Sequence, residues 1–313
     1  MIGLFIGVLL SNFLIKAAEF RKAAGYLSGR LLKIGIILSG ATLNFHQVVG
    51  VGAEALPLCI FNICWAFLLA VLVGRWMKVS RDASILVGGG TSICGGTAIA
   101  TVASIIKAKE DDIAYAMTAI FLFDVFAALF FPYLANWLAL SPEQYGILGG
   151  LAINDSSSVV AAGVTFDALT SGVLGAAGIS GGDFSVIVKL TRTTMLLFVA
   201  LALVIWKVWH DGRNSKEAGE KVSIPKQVMK AFPYFVLAFL ALAVINTFGW
   251  IPSAVTGSIK TGYKFFITMA LVGVGCKIQL KDVFKNGVRP IALGGVTWLG
   301  VAFSTLVYVL VIQ

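Results

Sequence analysis

The sequence predicts an all-α integral membrane protein with about ten transmembrane helices, on three observations. Apolar residues make up 58% of the 313 residues and charged residues only 12%, against about 25% charged in an ordinary soluble domain. The apolar residues fall into runs near the roughly 20 that a helix needs to span a bilayer. The basic residues collect between those runs. A chain this apolar cannot cover a water-facing surface, so soluble, collagen-like and disordered classes are excluded.

The candidate spans, in order, are 1–15 (short), 28–46, 51–74, 83–106, 112–136, 145–165, 184–208, 229–249, 261–279 and 289–312. Met1 to Ile15 is apolar from the start, with no basic stretch before it and no small-residue cleavage site, and reads as a retained helix. Segment 16–33 carries Lys16, Arg21, Lys22, Arg30 and Lys33, and segment 75–81 carries Arg75, Lys78 and Arg81. The long linker 207–230 holds Lys207, Arg213, Lys216, Lys221, Lys226 and Lys230, and segment 277–289 holds Lys277, Lys281, Lys285 and Arg289. Ten spans put all four basic segments on one side, the cytoplasmic one, and both termini outside. The opposite connections carry acids: Glu110, Asp111 and Asp112, then Asp167 and Asp183. The net charge of +9 thus reports topology and implies no nucleic-acid partner. Cys59, Cys64, Cys94 and Cys276 show neither metal spacing nor a disulfide framework, and no cofactor is expected.

Leu31 to Pro57 and Phe265 to Pro290 share one pattern: apolar helix, glycine, short amphipathic stretch, apolar helix. They would run in opposite directions, as inverted repeats of transporters do. The chain then reads as a single membrane transporter domain, 1–313, with a first repeat over about 1–136, a second over about 145–313, and a cytoplasmic linker at about 207–230.

Two spans are predicted to be broken. In 83–106, Gly88, Gly89, Gly90, Gly95 and Gly96 fall within nine residues, each costing a helix about 1 kcal/mol against Ala. Freed backbone groups at membrane depth are tolerated only inside protein or around water, and the hydroxyls of Thr91, Ser92 and Thr97 can cap the half-helices. The alternative is close helix packing through small residues. In 145–165, five polar residues, Asn154 to Ser158, interrupt an apolar run, and Asn154, Asp155 and Ser156 are good N-cap types. The alternative there is a surface loop. Paired broken helices point to a transporter's substrate site, and half-helix N-termini offer bare N–H groups to an oxyanion. The substrate-binding candidates are therefore Gly90, Thr91, Ser92, Cys94, Gly95, Gly96, Thr97, Asn154, Ser156, Ser157 and Ser158.

Intramembrane ionisable residues complete the set. Asp124 lies deep in an apolar span, where an acid costs about 2.5–3.5 kcal/mol on the insertion scale. It is a candidate proton or cation site, or a protonated acid bonded to a neighbouring helix. Asp155 is a plain cap or a site for a coupling H+ or Na+; ionised, it would repel an anionic substrate. Lys189 and Arg192, three apart on one face, are an anion-attracting pair or interface-snorkelling side chains. His46 and His210 have no partner at catalytic or ligand spacing. No Walker A, HExxH or GxSxG pattern occurs, so neither an enzyme nor an ATP-driven pump is predicted. The expected partners are a small anionic substrate, a coupling H+ or Na+ and the lipid bilayer; homodimer assembly is allowed. A passive anion channel and a transporter of an unrelated organic anion are the alternatives.

The segments LLKIGIILSGATLNF, GTSICGGTAIATVASIIKAK, SSSVVAAG and VIVKLTRTTMLL, in this order and spacing, resemble the YeiH-type family of bacterial inner-membrane proteins, whose members carry the label of sulfate exporters. The likeness covers nearly the whole chain, and a more distant similarity is to the bile-acid/sodium symporter fold. The resemblance implies inverted repeats with broken crossover helices, location in the cell (inner) membrane, and export of sulfate, sulfite or an organic sulfonate. Those relatives usually carry His where this chain has Asn154, and a neutral amide cannot titrate as His does. They often carry a neutral amide at Asp124, and tend to have one more helix ahead of the one beginning at Met1.

Overall fold

The structure is a computed structural model that describes residues 6–7, 9–10, 18–176, 178–214, 234–276 and 288–311. Most of the first expected span, most of the 207–230 linker and the 277–287 part of the last basic segment lie outside the described residues. All twelve long elements are α-helical: α1 Ala18–Gly40, α2 Phe45–Trp76, α3 Arg81–Ser92, α4 Gly96–Ile106, α5 Glu110–Trp137, α6 Pro142–Ala152, α7 Ser156–Leu169, α8 Gly181–Thr194, α9 Leu196–Asn214, α10 Tyr234–Thr247, α11 Ser253–Gly275 and α12 Val288–Val311. Among the described residues, four helical stretches are long and apolar enough to cross a membrane, namely Phe45–Trp76, Glu110–Trp137, Gly181–Trp206 and Ile291–Val311.

Local sequence fixes where the helices start. Asn44 and Gln47 form a capping box for α2, and Ser141 and Gln144 form one for α6 with Pro142 in its first turn. Each box satisfies backbone donors that would otherwise be bare. Ser80 and Ser180 cap α3 and α8 through the N–H groups of Ala83 and Asp183.

Cross-chain contacts define the two ends of the bundle. At one end, Arg81 lies over the Trp206 ring, and Ser80 donates to Asp112 Oδ1 at 2.7 Å. This end holds Arg75, Lys78 and Arg81 and is called the basic end. At the other end, the Phe45 N–H donates to Thr247 Oγ1 at 2.7 Å and Gln144 Nε2 donates to the Val309 carbonyl at 3.1 Å. The acids at 110–112 therefore sit at the basic end, not opposite it as the simple count of spans expects.

The reason is that 83–106 and 145–165 are not single crossings. A methyl added at Gly89 would lie 3.4 Å from Val102 Cγ2, and one at Gly90 would lie 2.9 Å from Ile99 Cγ1. In a continuous helix, residues 89 and 102 would be about 20 Å apart. So α4 folds back along α3, and the pair returns to the basic end, where Ser80 meets Asp112. Likewise Tyr145 at the start of α6 stacks on Phe166 near the end of α7 with ring centroids 3.8 Å apart, although a straight helix would separate them by about 32 Å. Both rings also face Gly181. The α6–α7 pair thus enters from the other end and returns to it. Each half-helix has 11–14 residues, about 17–21 Å, enough to reach the middle of a hydrocarbon layer of about 30 Å.

Two re-entrant hairpins of opposite orientation leave the direction of the four basic segments intact and reverse α5 alone. They also account for the glycines. Gly88, Gly89 and Gly90 stay helical within α3 and let Phe67, Ala70, Val102 and Ile99 close in, as small residues do between membrane helices. The unwinding expected of the whole run is confined to Ile93, Cys94 and Gly95. The largest buried cluster runs from α2 through α5 to α8 and α12 and encloses the second hairpin.

Candidate functional site

The two hairpin tips meet. Gly95, the turn residue of the first, has φ +63° and ψ −123°, a conformation that side chains disfavour. A methyl there would lie 3.7 Å from both Cα and Cβ of Asp155, the turn residue of the second, and 3.5 Å from Ile120 Cγ2. Asp124 stands beside this contact, near the midpoint of α5, and is buried.

Around the second tip side chains from three helices bind terminal backbone groups of the half-helices. Asp155 caps α7 by accepting from the Ser157 N–H at 3.0 Å and from the Ser157 hydroxyl. Asp124 accepts from the Asp155 N–H at 2.7 Å through Oδ1 and from the Ser158 hydroxyl through Oδ2. Two carboxyl groups thus face the α7 N-terminus, where negative charge suits the helix dipole. At the facing end of α6, Lys189 Nζ donates to the Ile153 carbonyl at 2.8 Å. Arg192 donates to the Leu151 carbonyl, to Ile153 at 3.0 Å and to Asn154 at 3.5 Å. Trp298 Nε1 donates to the Ala152 carbonyl at 3.0 Å. Cations at a helix C-terminus are favoured by the same dipole, and four consecutive carbonyls are satisfied without a water.

Lys189 and Arg192 are 1% and 0% exposed, so they do not snorkel; they bind the carbonyls that end α6. Among the described residues neither hydrogen-bonds a carboxylate. Sequence reasoning missed Trp298, which also stacks on Phe123 and Phe131; a lone Trp in an apolar helix carries no signal that its N–H reaches a carbonyl 146 residues away.

The first tip is different. Gly95 gives α4 no side-chain cap. Ser92 bonds back to the Gly89 carbonyl at 3.3 Å, and Thr97 is exposed, so the hydroxyls do not cap α4 as the sequence suggests. Among the described residues, Thr91 Oγ1, both amide atoms of Asn154 and Arg192 Nε are buried without a hydrogen-bond partner. Buried polar atoms are normally paired, so such orphans mark places where water or a ligand sits. Cys94 is buried at this tip among Ile63, Ile93, Ala98 and Leu196. Gly96 opens α4 against Phe121 and Met117, and Ser156 is half-buried at the second tip. His46 is exposed in the first turn of α2. Among the described residues no group of three His, Cys, Asp or Glu side chains could hold a metal.

These features define a multi-pass α-helical protein of the cell membrane in which two oppositely inserted helical hairpins touch tip to tip. The chain belongs to the family described as conserved hypothetical protein 698, whose model matches residues 1–294. It is 36% identical over 307 residues to a UPF0324 membrane protein of Streptococcus pyogenes serotype M18, covering 97% of this chain and 87% of that one. It is 35% identical over 297 residues to a UPF0324 membrane protein of Clostridium tetani, covering 93% and 83%, and 36% identical over 308 residues to one of Streptococcus pneumoniae, covering 97% and 87%. No solved structure matches.

Proposed function

We propose that this protein is a secondary transporter of a small anion, with the substrate held where the two hairpin tips meet. The observation that carries the reading is the contact of Gly95 with Asp155 between half-helices that enter from opposite ends. Broken elements paired at mid-membrane, in opposite orientation, are the arrangement from which alternating access is built. The two hairpins are then the mates of an inverted repeat, a relation that two single crossings in the same direction could not have. By the positive-inside rule the basic end is cytoplasmic.

The tips divide the chemistry. The α4 N-terminus has no side-chain cap and meets the second tip at Gly95, where Asn154 and Arg192 carry unpaired polar atoms, so it suits an oxyanion. The α7 N-terminus already holds Asp124 and Asp155, which repel an anion and suit a coupling H+ or Na+. Lys189 and Arg192 shape the site and contribute positive potential. Sulfate, sulfite or an organic sulfonate as substrate, and export as direction, rest on the resemblance to the YeiH-type family.

Flux in proteoliposomes tests this. Purified protein loaded with labelled sulfate, sulfite or taurine, with and without pH and Na+ gradients, is expected to move at least one of them saturably and in a gradient-dependent way. Saturable binding with no movement under any gradient overturns the transporter reading.

A further inference from the structure

We propose that the face of α4 bearing Thr97, Thr101 and Ser104 lines an aqueous path from the hairpin tips to the basic end, along which a small hydrophilic anion reaches the α4 N-terminus; the anion's part in this rests on the transporter reading above.

Positions 97, 101 and 104 share one face of a helix. Thr97, Ala100, Ser104 and Lys107 are exposed and Thr101 is half-buried, whereas Ala98, Ile99, Val102, Ala103 and Ile105 are buried. The buried side of α4 packs on α3, α5 and α9, so the hydroxyl face is the one left open. Other exposed faces of the bundle carry what lipid favours: Phe61, Leu68 and Leu72 on α2, Phe198, Leu201 and Ile205 on α9, and Leu299, Phe303 and Leu310 on α12. The open face of α4 carries no large apolar side chain.

Hydrogen bonding adds an independent observation. Ser104 bonds only to the Thr101 carbonyl of its own helix, at 2.8 Å, and no partner within the described residues takes the hydroxyl of Thr97 or Thr101. An unpaired hydroxyl facing hydrocarbon is costly, and water removes that cost. The upper end of the face, Thr97, lies two residues after Gly95, which meets Asp155 at the second tip, next in sequence to the buried amide of Asn154, unpaired among the described residues. Its lower end is Lys107, the residue that closes α4 in a left-handed conformation, at the end that holds Arg75 and Lys78.

Cysteine accessibility tests the path without requiring flux. In a Cys64→Ser background, which removes the exposed native thiol, Thr97→Cys, Thr101→Cys and Ser104→Cys are compared with Leu201→Cys on the lipid-facing side of α9. The probe is a charged, membrane-impermeant methanethiosulfonate applied to inside-out and to right-side-out vesicles. Thiolate is the reactive form and is suppressed in apolar surroundings, so the α4 positions are expected to react at least about tenfold faster than Leu201→Cys from the cytoplasmic side. Reaction no faster than at Leu201→Cys, or faster only from the opposite side, overturns the path. A path confirmed by labelling in a protein that moves no anion would leave the path standing and remove the transporter reading.

Discussion

The carboxylate of Asp124 accepts a hydrogen bond from the backbone N–H of Asp155 at 2.7 Å, so the helix that joins the two hairpins also anchors the tip of the second. Oδ2 of the same residue takes the Ser158 hydroxyl. An acid whose insertion is unfavourable is therefore matched to donors that would themselves be bare in the bilayer.

Replacing Asp124 separates its roles. Asp124→Leu leaves the Asp155 N–H and the Ser158 hydroxyl without an acceptor, at about 1–3 kcal/mol for each buried group. The unfolding midpoint of the detergent-solubilised protein is expected to fall by several degrees. Asp124→Asn keeps one acceptor oxygen and recovers most of that loss, while removing the charge and with it the dependence of flux on the coupling ion. A Leu variant as stable as the parent would show that the two bonds contribute nothing.

Arg192 supports the second hairpin from the other side. Arg192→Ala uncaps the Leu151 and Asn154 carbonyls and leaves Ile153 to Lys189 alone, and bonds from a charged donor are worth about 1.5–3 kcal/mol. The variant is expected to insert but to lose thermal stability and to expose the 153–155 turn to proteolysis. Lys189→Met, which removes one bond, is expected to do less. If Arg192 served only to attract substrate, the Ala variant would weaken binding with an unchanged melting midpoint.

Gly95 sits at φ +63° with the second tip 3.7 Å beyond its missing methyl. Gly95→Leu combines backbone strain of the order of 1–3 kcal/mol with obstruction of the tip contact, and is expected to abolish flux in a protein that still inserts. Flux at the parental rate in that variant would move the site away from the crossing.

The fold was legible in the sequence where it depends on solvent and charge. Apolar runs gave the helices, and Arg75, Lys78 and Arg81 marked one end. The hairpins were hidden because an uncharged stretch of 24 residues, such as 83–106, satisfies the length for one crossing equally well when it is two half-helices. The turn over Ile93, Cys94 and Gly95 separates the two, and a glycine among five glycines does not announce which one turns. The site was legible in type but not in partnership. Asn154 to Ser158 stood out as polar in an apolar run, and Asp124 stood out as an acid at mid-span. That Lys189 and Arg192 serve backbone carbonyls 36 to 41 residues back in the chain depends on the α6–α8 packing, which no local pattern encodes.

Asp155 offers the sharpest division between a structural and a functional reading. Its carboxylate caps α7 through the Ser157 N–H, and Asn is as good an N-cap as Asp. Asp155→Asn should therefore cost little stability, and the Asp124 bond to its backbone N–H needs no side chain. What the substitution removes is one of two carboxyl groups at the tip, the feature that suits a coupling H+ or Na+. The expected outcome is a melting midpoint close to the parent's and a substrate affinity changed less than the response to pH and Na+ gradients. Flux measured over a matrix of the two gradients reads this directly. An Asn variant with the parental dependence on both would return Asp155 to a plain helix cap and place any coupling on Asp124 alone.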